Sequence, residues 1–398
     1  MKYNFDEVVD RHNSLSVKWD LCKDPEVIPM WVADMDFKAA PFIMDAVRSR
    51  VEHGVFGYTQ VPDSYYKAVC DWFQRRRGWK IEPEWIQYIC GIVPAISVGI
   101  EALSEPGDNV LFSAPAYNCF YSSVRNSGRS LLENKLVATD SEDGMVHFSI
   151  DFDDFEAKCA DPRTSLFILC NPHNPTGRIW TREELTRMGE ICLRNGVTVI
   201  SDEIHCELEM PGFRYIPFAS ISKEFQHNCV TFCSPSKSFN IAGLEIANIV
   251  SEDPEKRARI DHVINVWEHC DVNPLGVAAL PAAYSPDGEE WLKQLNTYLA
   301  DNFQMLCDAV KKDLPGFRLS RLEGTYLAWL ECGPLIEHGI STKEAQDSMT
   351  ATEKVWINSG TMYGDGNWMR INLACPHSTM EEGLRRMVKG LRRLSALD

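Results

Sequence analysis

The sequence lacks the features of several classes of protein. Lys and Arg number 40 against 57 Asp and Glu, which gives a formal net charge of −17. A nucleic acid or an anionic membrane surface is therefore not an expected partner, since both bind through basic patches. No run approaches the roughly 18 apolar residues of a membrane span, and the polar start Met1–Asp6 has no apolar signal core. We expect no membrane partner.

Cysteine pairs are also missing, although the chain has 14 cysteines. There is no CxxC motif and no zinc-type spacing, so we expect no metal site. Many of the cysteines lie in apolar runs, as Cys90, Cys170 and Cys233 do. Free buried thiols of this kind are typical of a reducing compartment, which predicts a cytoplasmic protein. Cys119 differs because it lies beside a candidate site residue.

Alternating strand-like and helix-like segments fill the central region. Apolar runs predict strands at 86–90, 110–113, 166–170, 197–201 and 229–233, and helices are expected at 95–103, 121–127 and about 182–195. Thr181 and Glu184 form a capping-box pattern at the start of the last helix, and Gly196 ends it. The pattern predicts an α/β fold with a mostly parallel sheet covered by helices.

The last third of the chain has a different pattern. Residues 287–313 predict one long amphipathic helix, continuous or broken, and strands are expected at 315–319, 324–330 and 368–373. The alternation in 324–330 predicts a half-buried strand, and 379–394 predicts a terminal helix. We expect a large domain at 46–285 and a smaller α+β domain at 286–398, joined by an N-terminal segment at 1–45.

Polar and reactive groups follow five of the predicted strands. Ligands of open α/β sheets bind beyond the carboxyl ends of the strands, so these groups should meet. Each alone has a plainer explanation: Lys237 could be a solvated loop lysine, Tyr117 a core aromatic and His205 a structural histidine. The occurrence of all these groups together, in this order, indicates a ligand site far more specifically than any one of them does. The five positions are the Gly91 turn before a helix, Tyr117, Asn174 within 171–177, Asp202 with His205, and Lys237 with Ser234 and Ser236.

This set matches the chemical needs of pyridoxal 5′-phosphate. The aldehyde of that cofactor condenses with an amine, for which Lys237 is the candidate. Its ring nitrogen stays protonated beside a fixed carboxylate, and Asp202 fits that role. The other candidate contacts are Asn174 and His205 for the 3′-oxygen, a stacking ring from Tyr117, and the Ile92 and Val93 amides with Ser234 and Ser236 for the phosphate.

Longer motifs resemble a known family. Segments 171–177, 201–205 and 234–237 resemble the signatures of fold-type I pyridoxal-phosphate enzymes of the aminotransferase class I/II superfamily. Segments 18–20, 29–37, 54–59, 201–205 and 234–240 are similar to its MalY/PatB branch, the cystathionine β-lyases or C–S lyases. The resemblance spans nearly the whole chain and implies β-elimination from an S-substituted L-cysteine, giving a thiol, pyruvate and ammonia. Lys237, Asp202 and Tyr117 would carry the catalysis, with Lys237 as the base.

The resemblance also implies how a substrate and a second subunit take part. Arg370 would clamp the substrate carboxylate with Asn174 beside it and Ala33 nearby. Tyr58 would reach the cofactor phosphate of a neighbouring subunit, which implies a homodimer with shared active sites.

One position departs from the superfamily. Glu245 stands where many aminotransferases have a phosphate-binding arginine, which agrees with the lyase branch. Transamination and a regulatory role through a protein partner remain the alternatives. The role of Asn118, directly after Tyr117, stays open.

Overall fold

The computed structural model describes residues 3–397, so Met1 and Lys2 of the start examined for a signal core lie outside the described residues. The helices are α1 Val17–Asp20, α2 Pro41–Glu52, α3 Asp63–Arg77, α4 Ile92–Leu103, α5 Asn118–Asn126, α6 Phe152–Cys159, α7 Arg182–Asn195, α8 Lys223–Asn228, α9 Pro254–Val266, α10 Pro274–Ala283, α11 Pro286–Asp313, α12 Gly333–Glu337, α13 Thr342–Thr352 and α14 His377–Leu394. Short 3₁₀ turns lie at Pro83–Trp85, Phe218–Ser220, Ala242–Leu244 and Gly360–Tyr363.

The strands form one large and three smaller sheets. They are β1 Ile28–Pro29, β2 Ile86–Ile89, β3 Asn109–Ala114, β4 Ser130–Lys135, β5 Val137–Asp140, β6 Val146–Ser149, β7 Thr164–Cys170, β8 Thr198–Asp202, β9 Cys229–Cys233, β10 Ala247–Val250, β11 Arg318–Leu319, β12 Leu327–Glu331, β13 Val355–Trp356, β14 Asn358–Ser359 and β15 Trp368–Asn372.

The large sheet has seven strands in the order β2-β10-β9-β8-β7-β3-β4. The ladders from β9 through β4 are parallel, and β10 alone in the sheet runs antiparallel to its neighbours β9 and β2. The expected mostly parallel α/β sheet is thereby confirmed. The sequence did not reveal β10, a four-residue buried strand that follows the Lys237 loop.

Both faces of this sheet are buried, which explains its apolar strands. Leu111 and Phe167 pack into the core on one face, whereas Phe112 and Ile168 pack into a separate core on the other. Successive residues of a strand point to opposite faces, so burial of both faces makes the whole run apolar. The polar residues that follow each strand lie at the sheet edge, where the parallel strands end together.

The helix boundaries follow local sequence signals. The capping box of Thr181 and Glu184 is present at the start of α7, and Gly196 ends the helix with φ 69°. Helix α4 begins at Ile92, three residues earlier than expected, because Pro94 fits in a first turn that needs no amide donor. Helix α5 likewise begins at Asn118 instead of 121.

The four-stranded sheet, in the order β11-β12-β15-β14, gathers strands from the last third of the chain. Helix α11 is continuous over 28 residues. The expected half-buried strand is wrong in detail: it begins at Leu327, and four of its five residues are buried. The N-terminal β1 pairs in parallel with β13, so the start of the chain contacts the end. Within residues 3–397, no helix is long and apolar enough to cross a membrane.

Candidate active site

A cavity of about 210 Å³ opens at the carboxyl ends of the large sheet. Helix starts, strand ends and the N-terminal segment all contribute to its wall. The lining residues are Ala33, Gly91, Ile92, Val93, Pro94, Tyr117, Cys170, Asn174, Asp202, Ile204, His205, Ser236, Lys237 and Ala242. The structure therefore brings together groups from all five strand ends that the sequence singled out.

Lys237 lies in the turn that follows β9. Its side chain is partly buried, and Nζ donates a hydrogen bond to the backbone carbonyl of Ala33 at 2.7 Å. Burial lowers the pKa of this amine below the ordinary lysine value, and the nearby charge of Arg370 acts in the same direction. Asp34 and Asp202 oppose that shift. The amine therefore loses its proton more easily than a solvated lysine does.

Asp202 is the last residue of β8, and its carboxyl group is buried. Burial raises the pKa of Asp202 to about 7, while the amide of Ile204 and the charge of Lys237 act against this rise. The Ile204 N–H donates to Oδ1 at 3.2 Å. A carboxylate in this position favours a cationic partner inside the cavity, because such a partner would offset the cost of its burial.

His205 and Asn174 flank the same cavity and are both buried. Burial lowers the pKa of His205 to about 3, with Lys237 and Arg370 adding to the effect, so its imidazole is neutral. Its Nδ1 is buried and has no hydrogen-bond partner within residues 3–397. Asn174 Oδ1 accepts a hydrogen bond from Arg370. His205, which lines the same cavity as Asp202, thus has a buried polar atom that is free to bind a ligand.

The start of α4 and the ring of Tyr117 complete the wall. Ile92 and Val93 are the first two residues of α4, where backbone N–H groups have no partner within the helix. Such a helix start favours an anion. Tyr117 precedes α5 and is partly buried, and burial raises the pKa of its hydroxyl well above the ordinary value. Its phenol therefore stays protonated.

Arg370 lies on β15, behind Asn174. One Nη donates to Asn174 Oδ1 at 3.0 Å, the other to the Trp31 carbonyl at 3.0 Å, and the guanidinium stacks 4.4 Å from the centre of the Tyr363 ring. Its Nε is buried without a partner in the described part of the chain. These contacts fix the plane of a cation that can still receive an acceptor.

Ser234, Tyr58, Asn118 and Glu245, which the sequence also singled out, do not line the cavity, whereas Ser236 does. The Ser234 hydroxyl donates a hydrogen bond to the Ile246 carbonyl at 2.5 Å and accepts one from the Ser236 amide, so its proton is already used within the protein. Tyr58 is fully exposed. Asn118 opens α5, and Glu245 is exposed after a 3₁₀ turn.

The sequence did not reveal how the N-terminal segment is held over the site. Asn240, three residues after Lys237, exchanges three hydrogen bonds with the backbone of Met35 and Phe37. Asn372 on β15 donates to the carbonyls of Val32 and Asp34. An asparagine inside a buried strand is unfavourable without such partners, and that is the signal that could have indicated this contact.

Comparisons with known proteins show which family the chain belongs to. The model of the family described as aminotransferase class I and II matches residues 26–387. The chain is 42% identical over 394 residues to cystathionine beta-lyase PatB of Bacillus subtilis (strain 168), which covers 98% of this chain and 100% of that protein. It is 32% identical over 402 residues to protein MalY of Escherichia coli (strain K12), covering 98% and 99%. The crystal structure of cystalysin from Treponema denticola, which contains a pyridoxal 5′-phosphate cofactor, superposes with a TM-score of 0.93 at 32% identity, covering 99% of this chain and 100% of that one.

Proposed function

The chain belongs to the aminotransferase class I and II family, and we propose that it is a pyridoxal 5′-phosphate-dependent carbon–sulfur β-lyase. It acts on cystathionine or other S-substituted L-cysteines and, with water, gives a thiol, pyruvate and ammonia. The observation that carries this proposal is the shared cavity of Lys237 and Asp202 at the start of α4. The similarity to cystathionine beta-lyase PatB supports the lyase reaction over other reactions of the family.

The residues of the cavity fit the cofactor. The unpartnered Nδ1 of His205 and the buried Asp202 carboxylate are groups that need a polar ligand. When bound, pyridoxal 5′-phosphate supplies an electron sink for the pair left at the substrate α-carbon. Asp202 would hold its ring nitrogen, Asn174 and His205 its 3′-oxygen, and Tyr117 its ring, while the Ile92 and Val93 amides, Ser236 and Ser234 would hold its phosphate.

Lys237 holds the cofactor as a covalent partner and then serves as the general base. Its lowered pKa increases the fraction of neutral amine that can take a proton from the substrate α-carbon. Asp202 keeps a proton at the ring nitrogen, because a cation there compensates the buried carboxylate whose pKa is otherwise raised to about 7.

Arg370 binds the substrate carboxylate. Its guanidinium is planar and already oriented by Asn174, Trp31 and Tyr363, which lowers the entropy lost on binding. Asn174 would contact the substrate and the cofactor together, and Ala33 lines the same cavity as Asn174.

A second copy of the chain completes the site in this proposal. Tyr58 is fully exposed, and its neighbours Val55 and Phe56 are 61% and 58% exposed, an unusual set of bare apolar side chains on one loop. In a homodimer with shared active sites, Tyr58 reaches the cofactor phosphate of the partner. This contact supplies the hold on the phosphate that Glu245 cannot give.

The domain division and the cellular compartment complete the proposal. Strands of the large sheet come from residues 86–250 and those of the four-stranded sheet from 318–372, which supports a large domain at 46–285 and a small one at 286–398. The β1–β13 pair supports assigning residues 1–45 to the small domain. All 14 cysteines are free, which supports the cytoplasm.

Release of pyruvate tests the reaction. The purified holoenzyme is given cystathionine, cystine, cysteine and S-alkyl cysteines with no added keto acid, and pyruvate is measured. We expect turnover of at least one of these substrates. Strict dependence on an added keto acid would identify a transaminase instead. A chain that takes up no cofactor but binds a protein partner would indicate the regulatory role.

A further inference from the structure

A tight turn centred on Ala33 faces the amine of Lys237. The Asp34 amide donates to the Val32 carbonyl at 2.9 Å and closes the turn. Asn372 Nδ2 donates to the Val32 carbonyl at 2.5 Å and to the Asp34 carbonyl at 2.8 Å. Both flanking carbonyls are therefore engaged from the β15 side, and the carbonyl of Ala33 is left for Lys237 Nζ at 2.7 Å.

A buried ion cluster fixes this turn from outside the cavity. Lys18 is 1% exposed, and its Nζ donates to the Asp34 carbonyl at 2.9 Å and to the Asp36 carboxylate at 2.8 Å. Arg11 pairs with Asp34 at 2.7 Å and with Asp36 at 2.9 Å. The mechanism proposed above uses none of these charges. Their shared effect is to hold the backbone of residues 33–36 in one place.

We propose that the Ala33 carbonyl receives the Lys237 ammonium formed by proton transfer, and that Lys18 is the positioning residue that fixes this carbonyl. The inference rests on the proposed function, in which Lys237 is the base. In this step the α C–H bond of the substrate breaks and a new N–H bond forms on Lys237. The cofactor, when bound, would take up the electron pair and give it back as the bond from the β-carbon to sulfur breaks, and the proton held on Lys237 would be available to the departing thiolate.

The carbonyl favours one protonation state of the amine. A hydrogen bond from an ammonium to a carbonyl is roughly twice as strong as one from a neutral amine. The Ala33 carbonyl therefore stabilises the product of proton transfer more than the reactant, which makes Lys237 a stronger base than burial alone would allow. The charged or titratable groups around the amine include Asp34, Asp202 and Cys119, which favour the ammonium, Arg370, which disfavours it, and the neutral imidazole of His205.

The test is the titration of Lys237 in the full-length chain freed of cofactor. Acylation of Lys237 by acetic anhydride is followed from pH 7 to 11 by peptide mass spectrometry, in the unsubstituted chain and in Lys18→Met. We expect the midpoint to move to lower pH, with about fivefold more labelling at a fixed pH below the midpoint. Lys38→Met is the matched control, because Lys38 is an exposed lysine paired with Glu7 in the same segment. Its midpoint should not move.

A second variant covers a failure of Lys18→Met to fold. Lys18→Met/Asp36→Asn removes both buried charges, while the amide oxygen still accepts from Trp19 and Arg11. It should show the same shift of the midpoint. An unchanged midpoint, or a change in the plateau rate alone, which reports access, would overturn the proposal. Because the labelling needs no turnover, its result is independent of whether cystathionine yields pyruvate.

Discussion

Lys18 and Lys237 both lie largely away from bulk water, and their surroundings differ. Lys18 is 1% exposed and pairs with the Asp36 carboxylate at 2.8 Å. Lys237 faces a cavity and donates to a backbone carbonyl, that of Ala33, instead of a carboxylate. A carboxylate partner offsets more of the desolvation free energy of a buried ammonium than a single backbone carbonyl does. The buried charge of Lys18 is thus balanced by a carboxylate, whereas Lys237 has no carboxylate within hydrogen-bond distance among the described residues.

This difference separates a structural lysine from a reactive one. A paired ammonium can anchor neighbouring backbone, as Lys18 does for the turn at Ala33. An ammonium with few partners has a lowered pKa, as Lys237 has, and so offers a neutral amine to an aldehyde or a proton. Burial by itself therefore does not identify the functional lysine. The identity of the partner does.

The largest effect should come from removing the reactive lysine. Lys237→Ala should lower pyruvate formation at least about 10⁴-fold, because the cofactor loses its covalent partner and the substrate loses its general base. It should also abolish the absorbance of the lysine–cofactor linkage near the visible edge. The measurement is pyruvate release with matched amounts of purified protein. Full lyase activity in this variant would remove Lys237 from the mechanism.

The sequence predicted the residues of the candidate site better than the tertiary contacts that hold them in place. Asp202 and Lys237 each follow an apolar strand of recognisable length, so local pattern and the rule for parallel sheets were enough to bring them together. The fold class and the resemblance to the MalY/PatB branch are confirmed by the family model and by the relatives. Each of these predictions depends on residues close together in sequence.

The parts that the sequence did not predict depend on distant contacts. Lys18 was noted only as part of a motif, because its partner Asp36 and the closeness of both to Lys237 arise from tertiary structure. Asn372 meets the N-terminal turn across 340 residues of chain. Strand β10 was missed because four residues next to a polar loop carry too little periodicity to separate a strand from a turn.

Removing the compensated lysine should cost stability. Lys18→Met leaves the buried Asp36 carboxylate with Arg11 but without its ammonium partner, and we expect the free energy of unfolding to fall by about 3 kcal/mol, because one cation still faces the carboxylate. Urea unfolding of the cofactor-free chain measures this. Lys38→Met, which removes an exposed lysine, should stay within about 0.5 kcal/mol of the unsubstituted chain. Equal losses in the two variants would mean that the Asp36 pair is not special.

The smallest effect should have the opposite sign. Lys237→Met in the cofactor-free chain removes an ammonium that burial disfavours, and we expect the free energy of unfolding to rise by up to about 1 kcal/mol at pH 7.5. The gain is limited because the Ala33 carbonyl loses its donor.

The pH dependence of that gain identifies its cause. Because the pKa of Lys237 is lower in the folded chain, the unfolded chain binds more protons, and stability is lost as the pH falls from about 10.4 through the folded pKa. The advantage of Lys237→Met should therefore be largest at neutral pH and shrink toward pH 10. Urea unfolding of both chains at pH 7.5 and pH 10 measures it. If Lys237→Met instead lowers the free energy of unfolding by several kcal/mol at pH 7.5, as expected for Lys18→Met, the charge of Lys237 is also balanced by its surroundings. The two lysines would then differ only in that Lys237 faces the cavity.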